Sequence, residues 1–382
     1  MRIAIVKETT PGEDRVAATP DTVKKLIAAG HAVTVETGAG LTASVTDAAY
    51  EAAGAAIAPT AAKAIGEADV LFKVRRPSAT EIAAMKPGAG VAALLEPYGD
   101  KAFADQLAAA KVDALAMELV PRITRAQVMD ALSSQSNLAG YRSVIEAATL
   151  YGRAFPMMMT AAGTVAAARV FIMGAGVAGL QAIATARRLG AVVSATDVRP
   201  AAKEQVASLG AKFIAVEDEE FKQAETAAGY AKAMSAEYQK KQAALTAEHI
   251  AKQDIVITTA LIPGRAAPTL VTAEMVHSMR PGSVIVDLAA AQGGNCPLSK
   301  PDELVLVNGV KVMGYANLPA RLAADSSALY AKNLLALAPL LTAKEGAGFA
   351  PHWDDEIIQA AMLTRDGKVV HPSFAPAPAP AA

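Results

Sequence analysis

The sequence predicts an α/β protein of two doubly wound parallel-sheet domains, joined by long helices and with a cleft between them. Strand-like apolar runs alternate with helical patterns along the chain, the mark of parallel sheets covered on both faces. At 382 residues the chain is long for one core and suits two. One glycine turn sits in a strand–turn–helix–strand frame, in the second half only.

The first domain is expected over residues 1–131 and 322–382. Arg2–Val6 reads as its opening strand. Thr19 then caps a helix starting at Pro20, a residue whose fixed φ and missing N–H suit the first helical position. Ala32–Glu36 and Asp69–Val74 are strands, and Ser78-Ala-Thr-Glu81 is a capping box for a helix that stops at Pro87-Gly88. Val91–Leu95 and Val112–Met117 complete the set, and Met129–Tyr151 is helical enough to be a connecting rod. The second domain, 132–321, is expected to hold strands at Val170–Met173, Val192–Ala195, Lys212–Val216, Asp254–Thr258, Ser283–Asp287 and Val305–Val307. Arg321–Leu341 is a second long helical stretch that leads back to the first domain. Asp366-Gly367 marks a tight hairpin, and the alternating Ala and Pro of Ala375–Ala382 read as a disordered tail.

The glycine turn is Gly174-Ala-Gly176-Val-Ala-Gly179. It follows a buried-strand run, opens a helix from Val177 to Leu189, and leads to a second strand and Asp197. In that context a G-x-G-x-x-G run signals a Rossmann dinucleotide site rather than a glycine-tolerant turn. Gly174 permits the tight turn, Gly176 lets a pyrophosphate approach the backbone, and Gly179 lets helix pack on strand. The helix N-terminus offers free N–H groups and partial positive charge to the phosphates. Asp197 lies about 20 residues beyond the turn, where a carboxylate accepts from both adenosine ribose hydroxyls and repels a 2′-phosphate. NAD(H) is therefore expected rather than NADP(H). Arg199 is able to pair with a 2′-phosphate but is better read as a cover for the adenine; Val177 and Val198 join the expected site.

Two further segments carry double readings. Glu217–Gln253 separates two core strands and is crowded with Lys, Glu, Gln and Ala. It is either a solvated helix or, over 221–235, a mobile flap hinged at Gly229, with Tyr230 and Met234 closing over a cofactor or partner. Pro121–Tyr141 is densely polar and falls at the junction of the two domains. There Arg122 and Asp130 are placed to face each other across a short loop, Gln127 offers an amide to a carboxamide, and Ser133 a hydroxyl. A capped loop entering the long helix is the other reading.

Composition excludes several classes. With 36 basic and 37 acidic residues, no basic field points to nucleic acid. A single cysteine, Cys296, rules out a disulfide framework and a thiolate zinc site, fits a reducing cytoplasm, and leaves no metal expected. The chain opens directly on a strand with no signal peptide ahead of it. Its most apolar helical run, around Leu334–Leu341, is well short of the roughly 20 residues that span a bilayer.

The blocks PRITRAQVMDALSSQSNLAGYR, FPMMMTAAGTVAAARVFIMGAGVAGLQAIATARRLGA, ITTALIPG and GSVIVDLAAAQGGNCPL closely resemble the NAD(H)-binding component, domain I, of proton-translocating nicotinamide nucleotide transhydrogenases. The resemblance implies direct hydride transfer between NADH here and NADP⁺ on a partner domain, with proton movement in a membrane subunit. It implies that Arg122, Gln127, Asp130 and Ser133 hold the nicotinamide and its ribose. It matches Gly174, Gly176, Gly179 and Asp197 to the fingerprint, Gly229 and Tyr230 to a mobile loop, and Thr259–Leu261 to the pocket lining. It further implies a homodimer, cytoplasmic and attached to the inner membrane through its partner subunits, in the form where this component is a separate chain.

Alanine dehydrogenases share the fold and are the rival reading. Oxidising an amino acid moves a proton as well as a hydride and needs an acid/base beside the reacting carbon. That family uses a histidine after the fourth strand of its first domain and an aspartate after its VDxA strand. Here those regions read Leu94-Leu95-Glu96-Pro97-Tyr98 and Asp287-Leu-Ala-Ala-Ala291, and the five histidines (His31, His249, His277, His352, His371) fall elsewhere. Arg15 and Lys73 stand where that family binds a substrate carboxylate, so a relic anion site stays open, and Glu96 has no assigned role. A catalytically inert NAD-binding regulatory module is the third reading.

Overall fold

Successive strand residues enter opposite apolar cores, and both sheets of the protein are organised by that alternation. The computed structural model describes residues 1–223, 234–262, 264–343 and 348–375. The expected Ala–Pro tail, from residue 376 on, lies outside the described residues. The chain divides into two units, Met1–Gln135 with Pro319–Ala382, and Ser136–Leu318.

In the first unit, β1 (Arg2–Ile5), β2 (Ala32–Glu36), β3 (Ala56–Ala58), β4 (Val70–Arg75), β5 (Gly90–Leu94) and β6 (Asp113–Ala116) run parallel. Their order across the sheet is β6-β5-β4-β1-β2-β3. Ile3, Val33, Val70 and Phe72 enter one core; Ala4, Leu71, Val91 and Ala114 enter the other. Helices cover both faces, and their starts follow the expected chemistry. Pro20 opens Pro20–Ala28 behind Thr19. Ahead of Ala79–Ala84, Ser78 N–H donates to Glu81 Oε2 at 2.6 Å and Glu81 N–H donates to Ser78 Oγ at 3.3 Å.

In the second unit, β7 (Met158–Thr160) and β8 (Gly163–Val165) form a separate exposed hairpin. The main sheet holds β9 (Arg169–Met173), β10 (Val192–Thr196), β11 (Lys212–Phe213), β12 (Ile255–Thr258), β13 (Val284–Asp287), β14 (Leu304–Val307) and β15 (Val310–Met313). Its order is β11-β10-β9-β12-β13-β15-β14. Val170, Ile172, Ile255 and Val284 enter one core, and Phe171, Val256 and Ile285 the other.

Two departures from the expected parallel sheets have a common cause. β14, expected as the last parallel strand, is an antiparallel edge, and β15 takes the parallel place beside β13. The turn between them is Asn308-Gly309, with φ +49° and +82°, the left-handed pair that closes a two-residue hairpin. After the helix Ala323–Leu337 the chain adds β16 (Met362–Arg365) and β17 (Lys368–Val369) to the first sheet, antiparallel on β6 and on each other. Asp366-Gly367, at φ +50° and +77°, makes the hairpin expected there. No helix among the described residues is long and apolar enough to cross a membrane.

Candidate functional site

The order of the second sheet creates a switch point. From β9 the chain steps to β10 and β11 on one side, then returns to place β12 on the other. Open α/β sheets bind ligands beyond the carboxyl ends of strands at such a point. Gly174 follows β9, Thr259 follows β12 and Asp197 follows β10. Gly174 has φ +103° and donates its N–H to the Thr196 carbonyl at 2.8 Å. Thr259 donates its Oγ1 hydroxyl to the Gly174 carbonyl at 3.2 Å, and a Cβ on Gly174 would lie 2.5 Å from that Oγ1. A Cβ on Gly179 would lie 1.8 Å from the Gly174 carbonyl oxygen, so the helix Val177–Arg188 reaches the turn only as glycine. At Gly176 a Cβ would meet nothing within 4 Å. The protein's own packing does not demand glycine there, whereas a phosphate resting on the backbone does.

Asp197 is held from several directions. Its Oδ2 accepts from Ala175 N–H at 2.7 Å and its Oδ1 from Arg199 N–H at 2.9 Å. The Arg199 guanidinium adds Nε at 2.9 Å and Nη2 at 3.1 Å. Val177, Val198, Leu261 and Ile262, at 41, 60, 47 and 43 % exposure, are aliphatic side chains open to solvent near these strand ends. Exposed apolar groups beside phosphate-binding backbone suit a ligand with flat rings and a charged centre. Gly229 and Tyr230, expected to close over the site, lie outside the described residues; Met234 is described, and its carbonyl accepts from Gln239 Nε2 at 2.8 Å.

Two residues not singled out in the sequence support this site. Asn295 is fully buried, donates Nδ2 to the carbonyls of Ala260 (2.9 Å) and Pro268 (2.8 Å), and accepts from Ala260 N–H at 3.1 Å. It pins the segment that carries Thr259 and Leu261. Gly140, in the helix Ala131–Leu150, approaches so closely that a Cβ would lie 2.1 Å from the Ala178 carbonyl oxygen. Asn295→Ala leaves both carbonyls unpaired and is expected to lower unfolding stability by about 1–2 kcal/mol. Denaturant melts check this, and an unchanged midpoint would show that the loop holds without the amide.

In the first unit, the loop expected to face the nicotinamide is fastened from beneath. Arg125 pairs with Asp355 (2.8 Å) and Glu356 (3.2 Å), and Asn333 donates Nδ2 to the Val128 carbonyl at 2.8 Å. Arg122 and Gln127 are exposed, on either side of the start of the helical turn Thr124–Met129. Asp130 does not pair with Arg122. Its carboxylate accepts from Ser133 N–H at 2.8 Å and from the Ser133 hydroxyl at 2.6 Å, because it stands where a carboxylate satisfies the free N–H groups of the following helix. Asp130 and Ser133 thus meet directly, and Arg122 makes no ion pair among the described residues.

The first sheet has its own switch point, since β1 lies between β2 and β4, and charged side chains of the protein fill it. Lys73 Nζ lies 3.2 Å from Glu8 and 2.9 Å from Glu81. Arg15 grips Glu13 through Nε (2.7 Å) and Nη2 (2.6 Å) and gives Nη1 to Gln135 Oε1 (2.7 Å). Arg75 joins Glu13 at 2.9 Å and also pairs with Glu96, whose own N–H, at a left-handed φ of +49°, donates to Glu118. Burial pushes the Glu8 carboxyl up, with Lys73 opposing, and pushes Glu118 up against its backbone donors. Arg15 and Lys73 are therefore committed to internal carboxylates, which a free substrate carboxylate would have to displace. No group of three His, Cys, Asp or Glu side chains among the described residues is arranged to hold a metal.

Comparison with known proteins agrees with this division. The N-terminal domain of alanine dehydrogenase/PNT matches residues 4–139, and the C-terminal domain matches residues 143–372. The chain is 56% identical over 379 residues to the first of the chains that make up the NAD(P) transhydrogenase alpha subunit of Rhodospirillum rubrum, covering 98% of this chain and 99% of that one. A crystal structure of transhydrogenase from Sinorhizobium meliloti superimposes with a TM-score of 0.89 at 57% identity, over 97% of this chain and 100% of that one. The alanine dehydrogenase of Halomonas elongata is 30% identical over 385 residues, 99% of this chain and 96% of its own. The chain belongs to the alanine dehydrogenase/PNT family, among the NAD(P) transhydrogenase alpha subunits.

Proposed function

We propose that this chain is the NAD(H)-binding subunit of a proton-translocating transhydrogenase and passes hydride directly to NADP⁺ held on a partner domain. The observation that carries the reading is chemical. The loop after β13 bears Ala291, and Glu96 is tied to Arg75, so neither place offers the free proton carrier that amino-acid oxidation needs. Hydride passing between two nicotinamides needs no such group. NADH supplies the hydride, and the chain's own residues bind and orient it. Gly174, Gly176, Val177 and Gly179 take the pyrophosphate; Asp197, Val198 and Arg199 take the adenosine end; Thr259 and Leu261 line the pocket, with Gly229 and Tyr230 as its cover. Arg122, Asp130 and Ser133 hold the nicotinamide and its ribose, and Gln127 orders the two rings at a separation of roughly 3–3.5 Å. Homodimer formation, docking on the NADP(H)-binding domain, and proton movement in a membrane partner belong to the same proposal.

Gln127 provides the test. Gln127→Asn should leave NADH affinity nearly unchanged and slow hydride transfer in the reconstituted complex by about tenfold or more, as a small misplacement of reacting groups does. NADH titration and single-turnover transfer measure the two separately. Weakened binding with undiminished transfer would remove Gln127 from that role.

A further inference from the structure

We infer that Arg199 is a latent 2′-phosphate ligand held out of use by Asp197, so that nucleotide choice rests on the pair and not on the acid alone. The inference deepens the proposed NAD(H) site and rests on it. An ionised carboxylate offers about four acceptor directions. At Asp197 four donors are in place: Ala175 N–H at 2.7 Å, and the N–H, Nε and Nη2 of Arg199 at 2.9, 2.9 and 3.1 Å. Three of the four come from Arg199. Ribose hydroxyls that donate to Asp197 must take over directions that the guanidinium fills, so Arg199 moves aside as NAD(H) binds.

The same arrangement explains how a 2′-phosphate is refused. It would meet a carboxylate, and a guanidinium whose charge that carboxylate already matches. The Asp197 side chain is 7% exposed and that of Arg199 34%, so the acid is fixed in the wall while the base faces outward. The Arg199 backbone N–H is anchored on Asp197 Oδ1, which keeps the guanidinium at the ribose end wherever its side chain swings. A planar guanidinium donates two parallel N–H bonds to phosphate as readily as to carboxylate. Removing the charge at 197 therefore leaves a phosphate ligand already in position.

The test uses the full chain and the intrinsic fluorescence of NADH and NADPH. Asp197→Asn retains an acceptor for Ala175 N–H and guards against loss of the turn, while Asp197→Ser removes the side chain's reach. Both variants should bind NADPH about tenfold more tightly than the parent and NADH about tenfold more weakly, and adding Arg199→Gln to either should abolish the NADPH gain. No gain for NADPH in either single variant, or a gain that survives Arg199→Gln, would overturn the inference. A parent chain that binds neither nucleotide would instead overturn the site on which it rests.

Discussion

Lys73→Met should cost about 3–5 kcal/mol of folding stability near neutral pH, the usual consequence of leaving buried charges unpaired. Lys73 is the cation between Glu8 and Glu81, at 3.2 and 2.9 Å, and all three side chains are at most 7% exposed. Methionine fills a similar volume, so the loss reflects charge and not packing. The loss should shrink on acidification. The folded Glu8 carboxyl already lies above its ordinary value because of burial, with Lys73 opposing the rise. A raised carboxyl contributes stability that is full below its unfolded value and is lost as pH rises through the folded one. Removing Lys73 raises the folded value further and widens that window. Denaturant melts from pH 8 down to about pH 5 should show the variant approaching the parent. A small, pH-independent loss would mean that water or Arg75 takes over from Lys73.

Gly179→Ala should both destabilise the second unit and abolish tight NADH binding. Its Cβ would sit 1.8 Å from the Gly174 carbonyl oxygen, and both partners are backbone, so no side chain can yield. The helix Val177–Arg188 must lift away from β9, which costs about 1–3 kcal/mol as overpacking and moves the helix N–H groups off the phosphates. Gly176→Ala is the comparison. Its Cβ meets no protein atom within 4 Å, so stability should hold while nucleotide affinity falls. Equal affinity in both variants and the parent would contradict a phosphate seat on this turn.

How much was readable from the sequence depended on how local each requirement is. The strand–turn–helix–strand run around Gly174–Gly179 and Asp197 encodes its geometry within one short stretch, and the structure places those residues beside one switch point. The Ser78–Glu81 box and the Asp366-Gly367 hairpin are equally local. Asn308-Gly309 was equally readable, but Val305–Val307 also fits a final parallel strand, and turn chemistry decided its direction. β3, Ala56-Ile-Ala, has almost no strand propensity and exists because β2 pairs with it. Asn295 and Gly140 act on Ala260, Pro268 and Ala178, partners far away in sequence, so no spacing announces them. Arg15 and Lys73 stood out as charges among apolar neighbours, yet only the sheet order brings Glu8, Glu13 and Glu81 to them. Asp130 pairs with Ser133 rather than Arg122 because capping a helix end is satisfied three residues away.

The most direct measurement is hydride transfer from NADH by the purified chain under two conditions. One contains the NADP-binding partner domain with an NADP⁺ analogue; the other contains pyruvate and ammonia alone. Reduction of the analogue with the partner, and no NADH oxidation with pyruvate and ammonia, is the expected result. Turnover with pyruvate and ammonia in the absence of the partner would contradict it, and would require a proton carrier where Glu96 and Ala291 stand.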